Sequence, residues 1–248
     1  MRRVFNLSGG KTSAYMTISE KPTEDDIVLF TDTGREHPLT YKFLDDIEKH
    51  EGFKIHRATY VHKRAPNRNG FDALTHWKSY LPNRMRRICT VELKVETARR
   101  YLRPLIGTQF EQFIGFRYDE ADRVRNFKNY YKRTRTNFPL YDRKVTKPMI
   151  EQYWLTRPYT LEIPSILGNC DLCFLKGKNN IIKILSVYPE LADKWIEDEK
   201  RSSLIRKQKG GTYFRDITYQ QLLEIAKSQK SLFDLEESLP SYSCSCTT

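Results

Sequence analysis

Long apolar runs are missing from this 248-residue chain, and none approaches the ~20 residues that a membrane-spanning helix needs. Acidic side chains are in short supply. Against 43 Lys and Arg stand 31 Asp and Glu, which leaves a formal net charge of +12. The surplus favours a polyanionic partner, most plausibly nucleic acid, with plain solubility as the alternative. Cysteine is sparse and odd in number: Cys89, Cys170, Cys173, Cys244 and Cys246. Five thiols do not make a simple disulfide set, and Cys-x-x-Cys in a chain read as cytoplasmic points to metal or redox work. The N-terminus enters a strand-like segment directly instead of a secretory leader, so a cytoplasmic, membrane-free protein is the expectation. Internal repeats, low-complexity tracts and clear linkers are also lacking. That predicts one domain over residues 1–235 with a helical C-terminal part, followed by a flexible cysteine-containing tail at 236–248.

What the chain does contain is an alternation of strand and helix signals. "RVFNL", "DIVLFTDTG", "FKIHRATYV" and "FEQFIGF" read as strands. Between them, "KTSAYMTISE", "HPLTYKFLDDIEKH" and "TVELKVETARRYLRPL" read as helices, the last closed by Pro104. The order predicts an α/β fold: a mostly parallel sheet with helices on both faces. Residues 62–88 read as a long basic loop and 117–145 as irregular and basic. The second half reads as helical at roughly 147–155, 178–187, 189–200 and 218–229.

The first turn carries the strongest chemical signal. "NLSGGKTS" runs from a strand into a helix. Gly9 and Gly10 let the backbone bend and approach a ligand, and the helix start offers unpaired N–H groups and a positive dipole end. Ser8, Thr12 and Ser13 add hydroxyls and Lys11 a cation, so the turn suits a phosphate or pyrophosphate. The spacing matches neither a Walker A loop nor a Rossmann Gly-x-Gly-x-x-Gly turn. An ordinary Ser-capped strand-to-helix turn is the bland alternative.

"SGGKTS" resembles the PP-loop of the adenine nucleotide α-hydrolase superfamily. Further segments resemble its phosphoadenylyl-sulfate (PAPS) reductase family in the same order: "FTDTGREHPLTYKFLDDIE", "RICTVELKVETARRYL", "IGFRYDEADRVR", "NFPLYDRKVTKPMIEQYW" and "GNCDLCFLKGKNNIIKIL". The resemblance covers roughly residues 1–200 and implies a site for ATP or an adenylyl sulfate nucleotide. It would place phosphate on Ser8, Gly9, Gly10, Thr12 and Ser13, with Lys11 in the same role. Thr33, Gly34 and Glu36 would stand near the nucleotide, and Lys94, Arg117 and Arg123 would meet phosphate or sulfate oxygens. Lys11 and Arg117 would act on the reacting phosphate. Asp32 or Asp119 would hold Mg²⁺ or else cap a turn. Thr12 departs from the Asp found in many PP-loops, which removes one charge from the loop.

The resemblance also gives the cysteines a role. Cys89, Cys170 and Cys173 occupy positions that bind a [4Fe–4S] cluster in iron–sulfur members of the family. Cys244, or Cys246 in its place, would be the fourth ligand, or the fourth iron would stay open. Zinc would use the same thiolates. The Glu-Cys-Gly-x-His terminal motif of sulfite-forming reductases is absent, and the last histidine is His76. The implied chemistry is therefore adenylylation with loss of pyrophosphate, linked to sulfur transfer. Adenylyl-sulfate or PAPS reduction is the alternative, and a binding module without turnover a third reading. The stretches 123–138 and 78–87 interleave cations with aromatic residues and suit tRNA or DNA. A sulfur- or electron-donor protein would be a further partner.

Overall fold

A computed structural model describes residues 1–78, 80–131, 133–206 and 211–228. Cys244 and Cys246, and with them the predicted tail, lie outside these residues. Five parallel strands form one sheet in the order β3-β2-β1-β4-β5. The strands are β1 (Arg3–Leu7), β2 (Ile27–Asp32), β3 (Ile55–Thr59), β4 (Glu111–Ile114) and β5 (Arg135–Asn137). The helices are α1 (Lys11–Ser19), α2 (Pro38–Glu51), α3 (Gly70–Trp77), α4 (Thr97–Ile106), α5 (Ala121–Arg125), α6 (Pro139–Asp142), α7 (Lys147–Leu155), α8 (Lys178–Val187), α9 (Asp193–Arg206) and α10 (Tyr219–Ser228).

Alternation along the strands supplies both faces of the sheet. Phe5, Leu7, Val28, Phe30 and Phe113 point to one side, where they pack with Met16 of α1, Phe43 and Ile47 of α2 and Trp154 of α7. Val4, Ile27, Leu29 and Ala58 point to the other, against Ala98 and Leu102 of α4. A third apolar cluster holds the C-terminal helices together around Trp195, Tyr213 and Tyr219, and it takes in Phe71 and Leu74 of α3. The helical C-terminal part thus has its own core, bound to the sheet through α3.

Three sequence expectations change. The segment 62–88 is not all loop: Gly70–Trp77 is a helix whose Phe71, Ala73 and Leu74 are buried. Pro104 lies inside α4, which continues to Ile106. A short fifth strand, Arg135–Asn137, occupies part of the stretch read as irregular. Its polar sequence hides it, because the register beside Glu111, Gln112 and Phe113 comes from β4 and not from its own apolar pattern. No helix among the described residues is long and apolar enough to cross a membrane.

Candidate active site

The strand order reverses between β1 and β4, and a pocket of about 340 Å³ opens there at the carboxyl ends of the strands. Its size suits a nucleotide-sized ligand. Ser8, Gly9, Gly10, Lys11, Thr12 and Ser13 all line it. Gly9 has φ +80°, and a Cβ there would stand 2.6 Å from Thr40 Cγ2 and 3.3 Å from Phe30 Cε2. Gly10 is different: its φ is −101° and only Ser8 Oγ, at 3.8 Å, would meet a Cβ. Gly9 is thus demanded by the fold, while at Gly10 the absence of a side chain leaves the pocket clear.

Ser13 holds the loop shut. Its hydroxyl accepts from Ser8 N at 3.0 Å and donates to Gly10 O at 3.1 Å, with Ser8 Oγ 2.9 Å away. Among the described residues no side chain caps α1, and its first N–H groups face the pocket. Across the pocket, Gly115 lets β4 end against this turn, since a Cβ there would lie 3.1 Å from Ser13 Cα.

Arg117 is buried at the same mouth. Its Nε donates to Asp119 Oδ1 at 2.9 Å, one terminal nitrogen donates to Asp119 Oδ2 at 3.1 Å, and the other reaches Thr12 Oγ1 at 3.4 Å. Burial pushes the Asp119 carboxyl up, but the hydrogen bonds and charge of Arg117 outweigh it and hold the pKa below the usual value. Arg123 also lines the pocket; it donates to Glu120 Oε1 at 2.6 Å and lies 4.2 Å over the Phe116 ring. Asp32 caps its own turn, accepting from Gly34 N and Tyr41 Oη, both at 2.7 Å. Neither Asp32 nor Asp119 lines the pocket, so of the two readings of Asp32 the structure carries the turn cap.

The residues after β2 serve a second cavity. Thr33, Cys89, Cys170 and Cys173 line a space of about 20 Å³, room for about one water-sized body. Thr33 Oγ1 donates to Glu36 Oε1 at 3.0 Å and stands 3.4 Å from Cys170 Sγ. Burial pushes the Glu36 carboxyl up despite the nearby Lys94, and burial likewise pushes the Cys170 thiol up. Glu36 Oε2 is buried with no hydrogen-bond partner. Thr33, Gly34 and Glu36, expected beside the nucleotide, do not line the larger pocket. Lys94 and Asn169 line both spaces, so these two side chains form the wall between them. Lys94 reaches that position from a widened π-helical stretch, Thr90–Glu96, which starts at Cys89.

The donors suit a thiolate-bound metal in type, but their arrangement does not close around one. Among the described residues no group of three or more His, Cys, Asp or Glu side chains could hold a metal ion. The three thiols line one cavity with room for about one water-sized body.

Sequence reasoning missed several residues. Asn6, Gln112 and Lys147 all line the nucleotide-sized pocket, as does Tyr131, expected on a base instead. Gln112 is fixed by Thr136 Oγ1 at 2.7 Å, a bond that needs the unexpected β5. Arg35, inside the quoted "DTGREH", is buried and reaches Asp198 of α9 at 2.8 Å. Its guanidinium lies 5.2 Å from both the Phe71 and Trp195 rings, and its carbonyl accepts from Asp171 N at 2.9 Å. Only the position of Lys147 at the start of the "KPMIEQYW" helix offered a sequence signal. The aromatics expected to stack on bases in 123–138 mostly face inward: Phe138 stacks on Phe116 at 5.5 Å, Phe127 packs edge-on against both, and Tyr131 Oη donates to Val95 O at 3.0 Å.

The sequence model of the phosphoadenosine phosphosulfate reductase domain matches residues 2–158. The chain belongs to that family, which is named for an adenylyl nucleotide and whose members are enzymes. Two relatives extend the comparison. The uncharacterized nin region protein ORF290 of Escherichia phage lambda is 28% identical over 207 residues, 73% of this chain and 68% of that protein. The uncharacterized protein MJ0066 of Methanocaldococcus jannaschii is 26% identical over 199 residues, 76% of this chain. The match spans only 39% of MJ0066. Among solved structures, the PAPS reductase of Candida auris in a phosphate complex is similar with a TM-score of 0.45 and 16% identity, covering 64% of this chain and 74% of that one.

Proposed function

We propose that the chain is an adenylyl-nucleotide enzyme that activates a substrate with ATP and passes sulfur to it, the substrate being nucleic acid. The observation that carries this reading is the shared wall: a phosphate-loop pocket and a cavity of three thiols meet at Lys94 and Asn169. In the first step a substrate oxygen bonds to the α-phosphorus of ATP, the bond to pyrophosphate breaks, and pyrophosphate leaves. The α1 N–H groups, the Ser8 and Thr12 hydroxyls, Lys11 and Arg117 are the residues suited to hold that leaving charge. In the second step a sulfur nucleophile bonds to the adenylylated carbon and AMP departs with the oxygen. Sulfide from a donor is that nucleophile, and the thiols of Cys89, Cys170 and Cys173 line the cavity beside which it would enter. Lys94, between the compartments, suits both an α-phosphate oxygen and a thiolate.

The family match favours a second reading, reduction of adenylyl sulfate or PAPS to sulfite with electrons from thiols. One assay separates the two. The anaerobically purified protein is given ATP, Mg²⁺, sulfide and mixed tRNA, and in parallel adenylyl sulfate or PAPS with a dithiol. Pyrophosphate and AMP released with tRNA present, and lost in Lys11→Ala, support sulfur transfer. Sulfite from the second mixture replaces it with the reductase. Nucleotide binding without either product leaves a binding module. Iron, acid-labile sulfide and zinc content of the same preparation decides the metal.

A further inference from the structure

Beyond the thiol cavity lies a third space, far larger, between the helical part and the 83–85 segment that follows α3. It is an open groove of about 1670 Å³, above the range of small-molecule pockets. Its walls carry five cations, Arg84, Lys176, Lys178, Lys183 and Arg215, and one acid, Asp216. Asp216 pairs with Lys178, which leaves the groove strongly positive. Lys176 is committed to the carbonyls of Ile166 and Asp171, at 2.6 and 2.8 Å, so it holds the groove's rim in shape. Arg84 and Arg215 take part in no ion pair among the described residues. The first turn of α8 faces the same space through Gly177, Lys178 and Asn179, and no side chain among the described residues caps it. Phe214 and Ile217 add partly exposed apolar surface to the wall.

One residue ties this groove to the chemistry. Phe174 lines both the groove and the thiol cavity. Nucleotide pocket, thiol cavity and groove therefore adjoin in series, with Lys94 and Asn169 at the first wall and Phe174 at the second.

We infer that the groove is the seat of a single-stranded nucleic acid, the substrate in the sulfur-transfer reading on which this inference rests. Phosphates meet Arg84, Arg215, Lys183 and the α8 N-terminus. Bases lie against Phe214 and the groove's asparagine amides. A volume of about 1670 Å³ lined by five cations favours a polyanionic strand over a flat acidic protein face. The assignment moves the polyanion site away from 123–138, whose aromatics are packed inward.

Fluorescence anisotropy of a labelled 20-nucleotide single strand, RNA and DNA in turn, tests it on the full chain between 50 and 200 mM KCl. The wild type is expected to bind with an affinity that falls steeply with salt. Arg84→Gln with Arg215→Gln should weaken binding about tenfold and flatten the slope of log K against log salt by about 1.4, at about 0.7 for each phosphate no longer neutralised. Arg84→Glu with Arg215→Glu should abolish it. Calorimetric binding of ATP and the melting temperature should stay at wild-type values in both variants, so loss of the groove is read apart from loss of the nucleotide site. Arg125→Gln with Lys128→Gln on the 121–131 stretch should change affinity less than twofold. The inference is overturned if that control loses as much as the groove variants. It is equally overturned if the wild type ignores both oligonucleotides, or binds poly-glutamate as tightly as either of them.

Discussion

The loop after β1 and the loop that carries Cys170 and Cys173 flank neighbouring cavities, yet they are held by opposite means. The first is local. Gly9 supplies the positive φ, and Ser13 ties back to Ser8 and Gly10, all within a few residues. The second is held from afar. Asp171 N donates to Arg35 O at 2.9 Å, Trp195 Nε1 donates to Asp171 Oδ1 at 3.0 Å, Tyr219 Oη donates to Leu172 O, and Thr33 stands against Cys170. A loop built locally announces itself as a motif. A loop built from three distant elements shows in the sequence only its own residues, here a bare Cys-x-x-Cys.

Variants at the distant anchors should have the largest effect on stability. Arg35→Ala leaves Asp198 with Arg201, Thr75 and Tyr213 as partners but removes a buried charged hydrogen bond, a loss of about 1.5–3 kcal/mol. The melting temperature should fall by about 5–10 °C. Native-state thiol labelling of Cys170 should accelerate in step, because the carbonyl that holds Asp171 moves with the same residue. Labelling that stays slow while the melting point drops would show the cysteine loop to be independent of Arg35.

Glycine variants sharpen the local side. Gly9→Ala meets a left-handed penalty of about 1–2 kcal/mol and a close approach to Thr40 as well, so both melting temperature and nucleotide affinity should fall. Gly10→Ala should keep the melting temperature and lose affinity alone, measured by calorimetry with ATP. Equal affinity for Gly10→Ala and wild type would remove the ligand from that side of the loop.

A milder anchor comes next. Trp195→Phe deletes the hydrogen bond to Asp171 and some packing, for a loss of about 1–3 kcal/mol in thermal unfolding, with ATP affinity unchanged. A matching loss of ATP affinity would mean that the two loops do not divide the work as described.

The smallest effect is a pH profile. Glu199 accepts from Tyr213 N at 3.1 Å and Tyr219 N at 2.8 Å, at the start of α10. Burial pushes its carboxyl up to about 7, the two N–H bonds pull down, and Asp198 adds to the rise. A pKa raised on folding means that the native state holds a proton that the unfolded chain releases near the ordinary glutamate value of 4.5. Its contribution is therefore full below pH 4.5 and is lost as the pH rises to about 7. Glu199→Gln should flatten the dependence of melting temperature on pH across that window, while its single carbonyl oxygen keeps an acceptor for one of the two amides. An unchanged pH slope would assign the dependence to other groups.

The same division explains what the sequence made readable. The four longer strands, α1, α2 and the phosphate loop all follow from short-range signals: apolar runs, Pro38 at a helix start, Ser-Gly-Gly in a turn. The helices α7, α8 and α10 were legible for the same reason. β5 was not, because Thr136 and Asn137 carry no strand pattern and take their place from β4. α3 was hidden by the basic, Pro- and Asn-rich flanks on both sides. In the site, hydroxyls and glycines of the loop were legible together, while Gln112, Asn6 and Arg35 depend on partners far along the chain, as Arg35 and Asp198 do at a separation of 163. Thr33, read as standing near the nucleotide, lines the adjoining thiol cavity, since a strand end can serve either of two neighbouring spaces.

Arg35 also bears on how the chain can be divided. The family match stops at residue 158, which invites expression of that portion as a free-standing module. Cutting there would strip Asp198 from a guanidinium that is only 4% exposed and would uncover Phe71 and Leu74, which pack in the helical cluster. The recognisable two-thirds of the protein and the remainder are joined by that ion pair, by the bonds of Thr75 to Asp198 and Arg201 and by the packing of α3, and the motif boundary is no boundary for folding.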